Sequence, residues 1–144
     1  MSPSDLEIRA LLENRASWFA GDGGGEIDFT GFVFSNRDLQ ACFFMGAPLR
    51  NLDFRHSKLC WSNFVGADCF MANFIGADLR GANFAGADLR IADFRGAILH
   101  GANFSGTICD AAKFDNTSIQ HANFQEASTL NTEWIRVRKK KKKK

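Results

Sequence analysis

From Phe34 to Phe124 large and small apolar residues recur with a period of five, without an insertion. In each unit the third place, the centre, is Phe, Leu, Ile or Cys, and the first place is small in most units. The stretch Ala67–Gly106 is the most regular. There Ala holds the first place of all eight units, Asp or Asn the second except at Ile98, and Leu or Phe the third except at Cys69. A helix face repeats at spacings of three and four and a strand at two, so neither accommodates a strict five. The pattern suits a chain that turns a corner every five residues and sends one large and one small side chain inward each time. Centres alternate further, Phe with Leu, Cys or Ile, at period ten. A square coil of four units then stacks residues twenty apart. Phe34, Phe54, Phe74, Phe94 and Phe114 form one interior column, and Phe44, Phe64, Phe84, Phe104 and Phe124 the opposite one. Coils about 4.8 Å apart hydrogen bond one to the next, as buried backbone requires.

The units ADLRG, ANFAG and ANFSG resemble the pentapeptide-repeat proteins. That resemblance implies an all-β solenoid, a right-handed quadrilateral β-helix of about five coils over residues 27–128. It also implies that the C-terminal end forms a two-fold homodimer interface in some members. Other members mimic DNA and bind type II topoisomerases such as gyrase.

Residues 1–26 read as an N-terminal capping α-helix, Met1 to about Ala20, and a Gly-rich hinge, Gly21–Gly25. Ser2 or Ser4 caps the helix, and Pro3 is tolerated in a first turn. Leu6, Ile8, Leu11, Leu12, Trp18 and Phe19 supply its apolar stripe. The open end of a solenoid exposes unpaired edges that such a helix covers. Phe32, Phe43 and Leu52 break the repeat near this end and add apolar bulk there. Residues 129–144 leave the repeat. Leu130, Trp134, Ile135 and Val137 read as a C-terminal cap or a dimerisation segment, followed by a basic tail.

The second, fourth and fifth places face outward. Asp and Asn at the second place are structural. Asn63, Asn83, Asn103 and Asn123 form an amide ladder, and such side chains bond local backbone. The informative residues are those that break the polar pattern. Phe70, Met71 and Ile75 lie around one corner, with Ile91 stacked beside Met71. Arg50 and Arg90 flank Phe70 in its column, and Arg55 and Arg95 flank Ile75. An apolar patch ringed by Arg has the composition of a binding hot spot. Trp61 lies on a different corner.

Charge and cysteines narrow the picture. The net charge of +2 over 144 residues comes from the tail, because Lys139–Lys144 carry six positive charges. Without them twelve basic face sixteen acidic residues. Residues 29–128 hold nine Asp or Glu against eight Lys or Arg, and Arg80, Arg90 and Arg95 interrupt any acidic stripe, which argues against DNA mimicry. Cys42, Cys69 and Cys109 take inward places and Cys60 an outward one. Cys69 and Cys109 stand two coils apart, too far for a disulfide, so buried thiols in a reducing, cytoplasmic compartment are expected. No nucleophile, phosphate-loop or metal-ligand pattern is present, and no cofactor is implied. The expectation is a non-catalytic, rigid protein–protein interaction module with an unidentified protein partner. The alternatives are a DNA-mimicking regulator of a type II topoisomerase, and a module that docks on nucleic acid or membrane through the Lys tail.

Overall fold

The computed structural model describes residues 2–18, 27 and 29–137. One helix, α1, spans Asp5–Trp18. A capping box opens it: the Ser4 amide donates to Glu7 Oε2 at 2.7 Å, and the Glu7 amide donates to Ser4 Oγ at 3.3 Å. Phe19 and the Gly21–Gly25 hinge expected after it lie outside the described residues.

The rest is a coiled parallel β-structure with a strict twenty-residue register. Second-place residues pair in parallel with those twenty further on, from Asp38 with Lys58 to Lys113 with Glu133. Each side of the coil is only a few residues long, because a turn follows at once. The first-place amide donates to the centre carbonyl three residues back, as Ala47 does to Phe44 at 3.0 Å. The fifth place adopts a left-handed backbone, with φ +65° at Gly81 and Gly76. Glycine also leaves room there. A Cβ at Gly81 would run into the Trp61 ring and one at Gly76 into the His56 ring.

Both phenylalanine columns form as the period predicts. Phe84 stacks on Phe64 at 4.5 Å and on Phe104 at 5.0 Å, and meets Phe74 and Phe94 edge-on. First-place alanines fill the corners between the large side chains and are fully buried from Ala67 to Ala92. Where a hydroxyl replaces methyl it is satisfied: Ser62 Oγ donates to the Leu39 carbonyl and Thr117 Oγ1 to the Phe114 carbonyl. Three of the four expected members form the amide ladder, with Asn103 donating to Asn83 at 3.2 Å and Asn123 to Asn103 at 3.4 Å, while Asn63 accepts from the Val65 amide at 3.0 Å. The four cysteines are free thiols.

The structure departs from the sequence expectation at several places. The register continues past Ser128, which pairs with Ile108, and Trp134 stacks on Phe114 at 4.6 Å. Trp134 is thus the next member of an aromatic column, a larger ring in the place of Phe. Leu130 and Ile135 point outward and are exposed, so neither covers the end. Of the four expected residues, Trp134 and Val137 line it, together with Ile119, Phe124, Ala127 and Thr129. Cys60 occupies an outward place yet is buried, outside the core cluster, with Sγ toward the Asp78 carbonyl at 3.9 Å. On α1, Ile8 and Leu12 join the core, whereas Leu6 is exposed. Phe32 packs against the core, but Phe43 at the head of the Asn ladder stays largely exposed.

Helix α1 lies against the first coil with matched chemistry. Elsewhere each coil's carbonyls at the second and fourth places accept amides from the coil before, as Lys58 and Cys60 accept from Leu39 and Ala41. Asp38 and Gln40 meet Arg9 instead, which donates through Nη2 and Nη1 to their carbonyls at 2.8 and 2.6 Å. The Asp38 amide donates to Asp5 Oδ2 at 3.1 Å, where later coils use a carbonyl. Asp5 and Arg9 are one turn apart on the helix, so a single face replaces two donors and one acceptor of a missing coil.

Candidate partner-binding face

One wall of the solenoid carries the irregular apolar residues. Its fourth-place column runs Arg50, Phe70, Arg90, Asp110, Leu130, set by amides that step from one coil to the next: Asn51 to Phe70, Met71 to Arg90, Ile91 to Asp110 and Ala111 to Leu130. The Phe70 ring is half-buried between two guanidinium groups, with Arg50 Cζ at 4.4 Å and Arg90 Cζ at 5.5 Å from its centroid. Met71 and Ile91, on the corner beside it, are 48% and 44% exposed. Ile108 and Leu130 extend the same wall toward the C-terminal end and are also exposed. The result is an interrupted apolar stripe, Phe70 and Met71, then Ile91, then Ile108 and Leu130, with Arg90 and Asp110 standing between them in the fourth-place column.

The arginines are not free charges. Arg90 and Asp88 pair at 2.7 Å, Arg55 and Asp53 at 2.7 Å, and Arg95 and Asp93 at 2.7 Å, each with the carboxylate two residues earlier. Arg50 reaches across to Asp68 at 3.0 Å. Hydrogen bonds from the arginine side chains hold Asp53 and Asp88 below the ordinary carboxylate range. The rim is therefore charge-balanced, which lowers the cost of covering it.

The left-handed fifth place is general to the coil and is shared by thirteen non-glycine residues among those described, Trp61 included. Met71 and Ile91 occupy fifth places with φ 57° and 61°. A left-handed backbone costs L-residues about 1–2 kcal/mol, and for a β-branched side chain it is a genuine outlier. In the two most regular units glycine stands at this place, at Gly81 and Gly86.

The structure brings together Phe70, Met71 and Ile91 with Arg50 and Arg90. Ile75 sits round the corner, half-buried, in the column of Arg55 and Arg95. The sequence reading missed Ile108 and gave Leu130 to the end of the solenoid. The signal for both was the register of twenty: counted back from Leu130, it leads to Asp110, Arg90 and Phe70. Trp61, 72% exposed, lies over Gly81 on another corner, apart from the stripe. Lys139–Lys144 lie outside the described residues.

A parallel ladder with four short sides, aromatic columns inside and a corner every five residues defines a quadrilateral β-helix. The family model for pentapeptide repeats matches residues 67–108 and 92–128, with 8 copies. A pentapeptide repeat protein from the thylakoid lumen of Arabidopsis thaliana is 32% identical over 76% of this chain and 70% of that one, with a TM-score of 0.53. Another from Nostoc Pcc 7120 is 28% identical over 65% of this chain and 84% of that one, with a TM-score of 0.54. This chain belongs to the pentapeptide repeat family, whose fold is the right-handed quadrilateral β-helix. QnrB1, a plasmid-mediated fluoroquinolone resistance protein, matches at 19% identity over 81% of this chain and 80% of that one, with a TM-score of 0.40, a likeness that carries no functional argument. Comparison with curated proteins gives no match.

Proposed function

We propose that this protein is a non-catalytic, rigid interaction module that binds a protein partner through the stripe Phe70–Met71–Ile91–Ile108–Leu130. Arg50 and Arg90 brace Phe70, and Ile75, Arg55 and Arg95 form the adjoining rim. On this reading α1 caps a solenoid of about five coils. The observation that carries it is the Phe70 ring held between the Arg50 and Arg90 guanidinium groups beside the exposed Met71 and Ile91 side chains. Support also comes from the exposure of several apolar residues on one wall beside a charge-balanced rim.

A topoisomerase partner, the alternative drawn from the resemblance, needs a strongly acidic wall. The aspartates here are matched by arginines, so excess protein is expected to leave gyrase supercoiling unchanged. A cytoplasmic location is part of the proposal and rests on the free thiols. Docking through the Lys tail would survive any change in the stripe. The test is affinity capture with wild type beside a Met71→Asn, Ile91→Asn variant. Asn tolerates the left-handed region, so the variant keeps the fold. A partner held by both proteins equally would defeat the proposal.

A further inference from the structure

One corner of the solenoid changes composition along its length. Its first-place column runs Phe32, Leu52, Ala72, Ala92, Ala112. The three alanines are fully buried and close the corner. Phe32 and Leu52 are larger and stay half-buried against the core. Phe32 sets its ring edge-on to Phe29 at 5.5 Å and stacks on Phe34 at 5.8 Å. An open pocket of about 290 Å³ remains beside them, walled by Phe29, Phe32, Leu52 and Pro48, with Gly31 at the turn and Arg50 at the side. The same corner carries Met71 and Ile91 further on, so the pocket lies at the N-terminal end of the stripe.

Arg50 differs from the other arginines of the walls. Arg55, Arg80, Arg90 and Arg95 each spend Nε and Nη2 on the aspartate two residues earlier. Two residues before Arg50 stands Pro48, which has no carboxylate. Arg50 makes one hydrogen bond, from Nη1 to Asp68 Oδ2 at 3.0 Å, and among the described residues its Nε and Nη2 meet no acceptor. A guanidinium carries five N–H donors in a planar fork that fits a carboxylate. An apolar pocket thus has an uncommitted carboxylate fork at its side. We propose that this pocket seats the C-terminal residue of a partner protein, with a large apolar side chain against Phe29 and Phe32 and the terminal carboxylate on Arg50. A chain end suits so short a site, because its carboxylate and its side chain leave one Cα. An internal peptide bond brings only a neutral carbonyl to the fork, and charge-assisted bonds are the stronger ones. A nucleic acid finds a single cation at this pocket, already shared with Asp68. The site extends the stripe and rests on its reading as a protein-binding face.

The test titrates the dipeptide acetyl-Ala-Phe into the isotope-labelled full chain and follows amide resonances by NMR. The free acid should move the Gly31, Arg50 and Leu52 amides and the Arg50 Nε–H saturably. The C-terminal amide of the same dipeptide should bind about tenfold or more weakly. Acetyl-Glu-Phe-amide, with an internal carboxylate, should bind as weakly as that amide. Arg50→Gln should weaken the free acid about tenfold or more with melting unaltered, and Arg50→Lys should not restore it, for lack of the fork. Protein carrying Met71→Asn and Ile91→Asn should bind the dipeptide as wild type does, because so short a probe does not reach those residues. Failure of the pocket is thereby separate from failure of the stripe, which is read by capture of the whole partner. The proposal is overturned by no saturable shift at those amides, by equal binding of acid and amide, or by equal binding of the internal carboxylate. Unchanged affinity in either Arg50 variant, or loss of dipeptide binding in the Met71→Asn, Ile91→Asn protein, would overturn it as well.

Discussion

Replacing Phe84 by Ala removes the middle of one aromatic column. The ring is fully buried, stacked on Phe64 and Phe104 and set edge-on to Phe74 and Phe94 at 5.6 and 5.7 Å. Core Phe→Ala changes cost about 3–5 kcal/mol, and aromatic pairs add about 0.5–1.5 kcal/mol beyond area. Contact on all four sides and coils above and below that cannot collapse place this site at the upper end, about 4–5 kcal/mol. Phe124 is the contrast. It is partly exposed at the open end, stacked on Phe104 at 4.7 Å and bordered by Phe114 and Trp134. Its loss should cost about 2 kcal/mol, because the cavity opens to water. Urea unfolding followed by circular dichroism measures both. Hydrogen exchange should show Phe84→Ala accelerating the amides of the neighbouring coils most, as nearest-neighbour coupling in a solenoid demands. A cost below about 1 kcal/mol at Phe84, or equal costs at the two sites, would refute the interior assignment.

Arg9→Ala should lower the melting temperature and speed exchange in the first coil while leaving the Phe104 amide protected. Charged hydrogen bonds contribute about 1.5–3 kcal/mol each, and partial exposure puts this pair at the low end. Lys at the same position should not rescue, since it lacks the planar fork that meets two carbonyls. Acid should destabilise the protein. Asp53 and Asp88 have depressed pKa values in the folded state, held there chiefly by arginine hydrogen bonds. Their contribution is present above the unfolded pKa near 4 and is lost as pH falls through the lower folded value, so melts should decline only below about pH 4. Neutralising Arg55 and Arg90 should flatten that decline. Burial pushes the Cys42 and Cys109 thiols up to about 11, so both should resist a thiol reagent at pH 8 until the protein unfolds. Rapid labelling of either in the native state would contradict the core assignment.

Much of the fold was legible because its code is local. Each unit repeats one decision, a large centre and a small first residue, and the register of twenty follows from the alternation of Phe with Leu. The ladder Asn83–Asn103–Asn123 and the pairing of Arg50 and Arg90 about Phe70 were countable from the same register. What escaped depends on three-dimensional matching. Nothing in the pattern says that Arg9 faces two edge carbonyls, because that contact joins residues about thirty apart with no shared period. Trp134 is hard to place because the Ala-Asn signature is lost after Ser128, although the spacing of ten from Phe124 still holds. Cys60 was read by its place alone, yet a thiol at an outward place is small enough to be covered by its neighbours. The arginines were read as a positive rim, although Asp-x-Arg spacing had already committed Arg55, Arg90 and Arg95 to aspartates.

On the proposed reading Met71 and Ile91 serve a partner rather than the fold. It is tested most directly by titrating the partner captured on wild type into wild type and into Met71→Asn, Ile91→Asn protein by calorimetry, with thermal melts on the same samples. The expected result is a melting temperature equal to or above wild type, from relief of the left-handed strain, together with loss of binding. Unchanged binding, or a melting temperature that falls as a core substitution would make it fall, would contradict it.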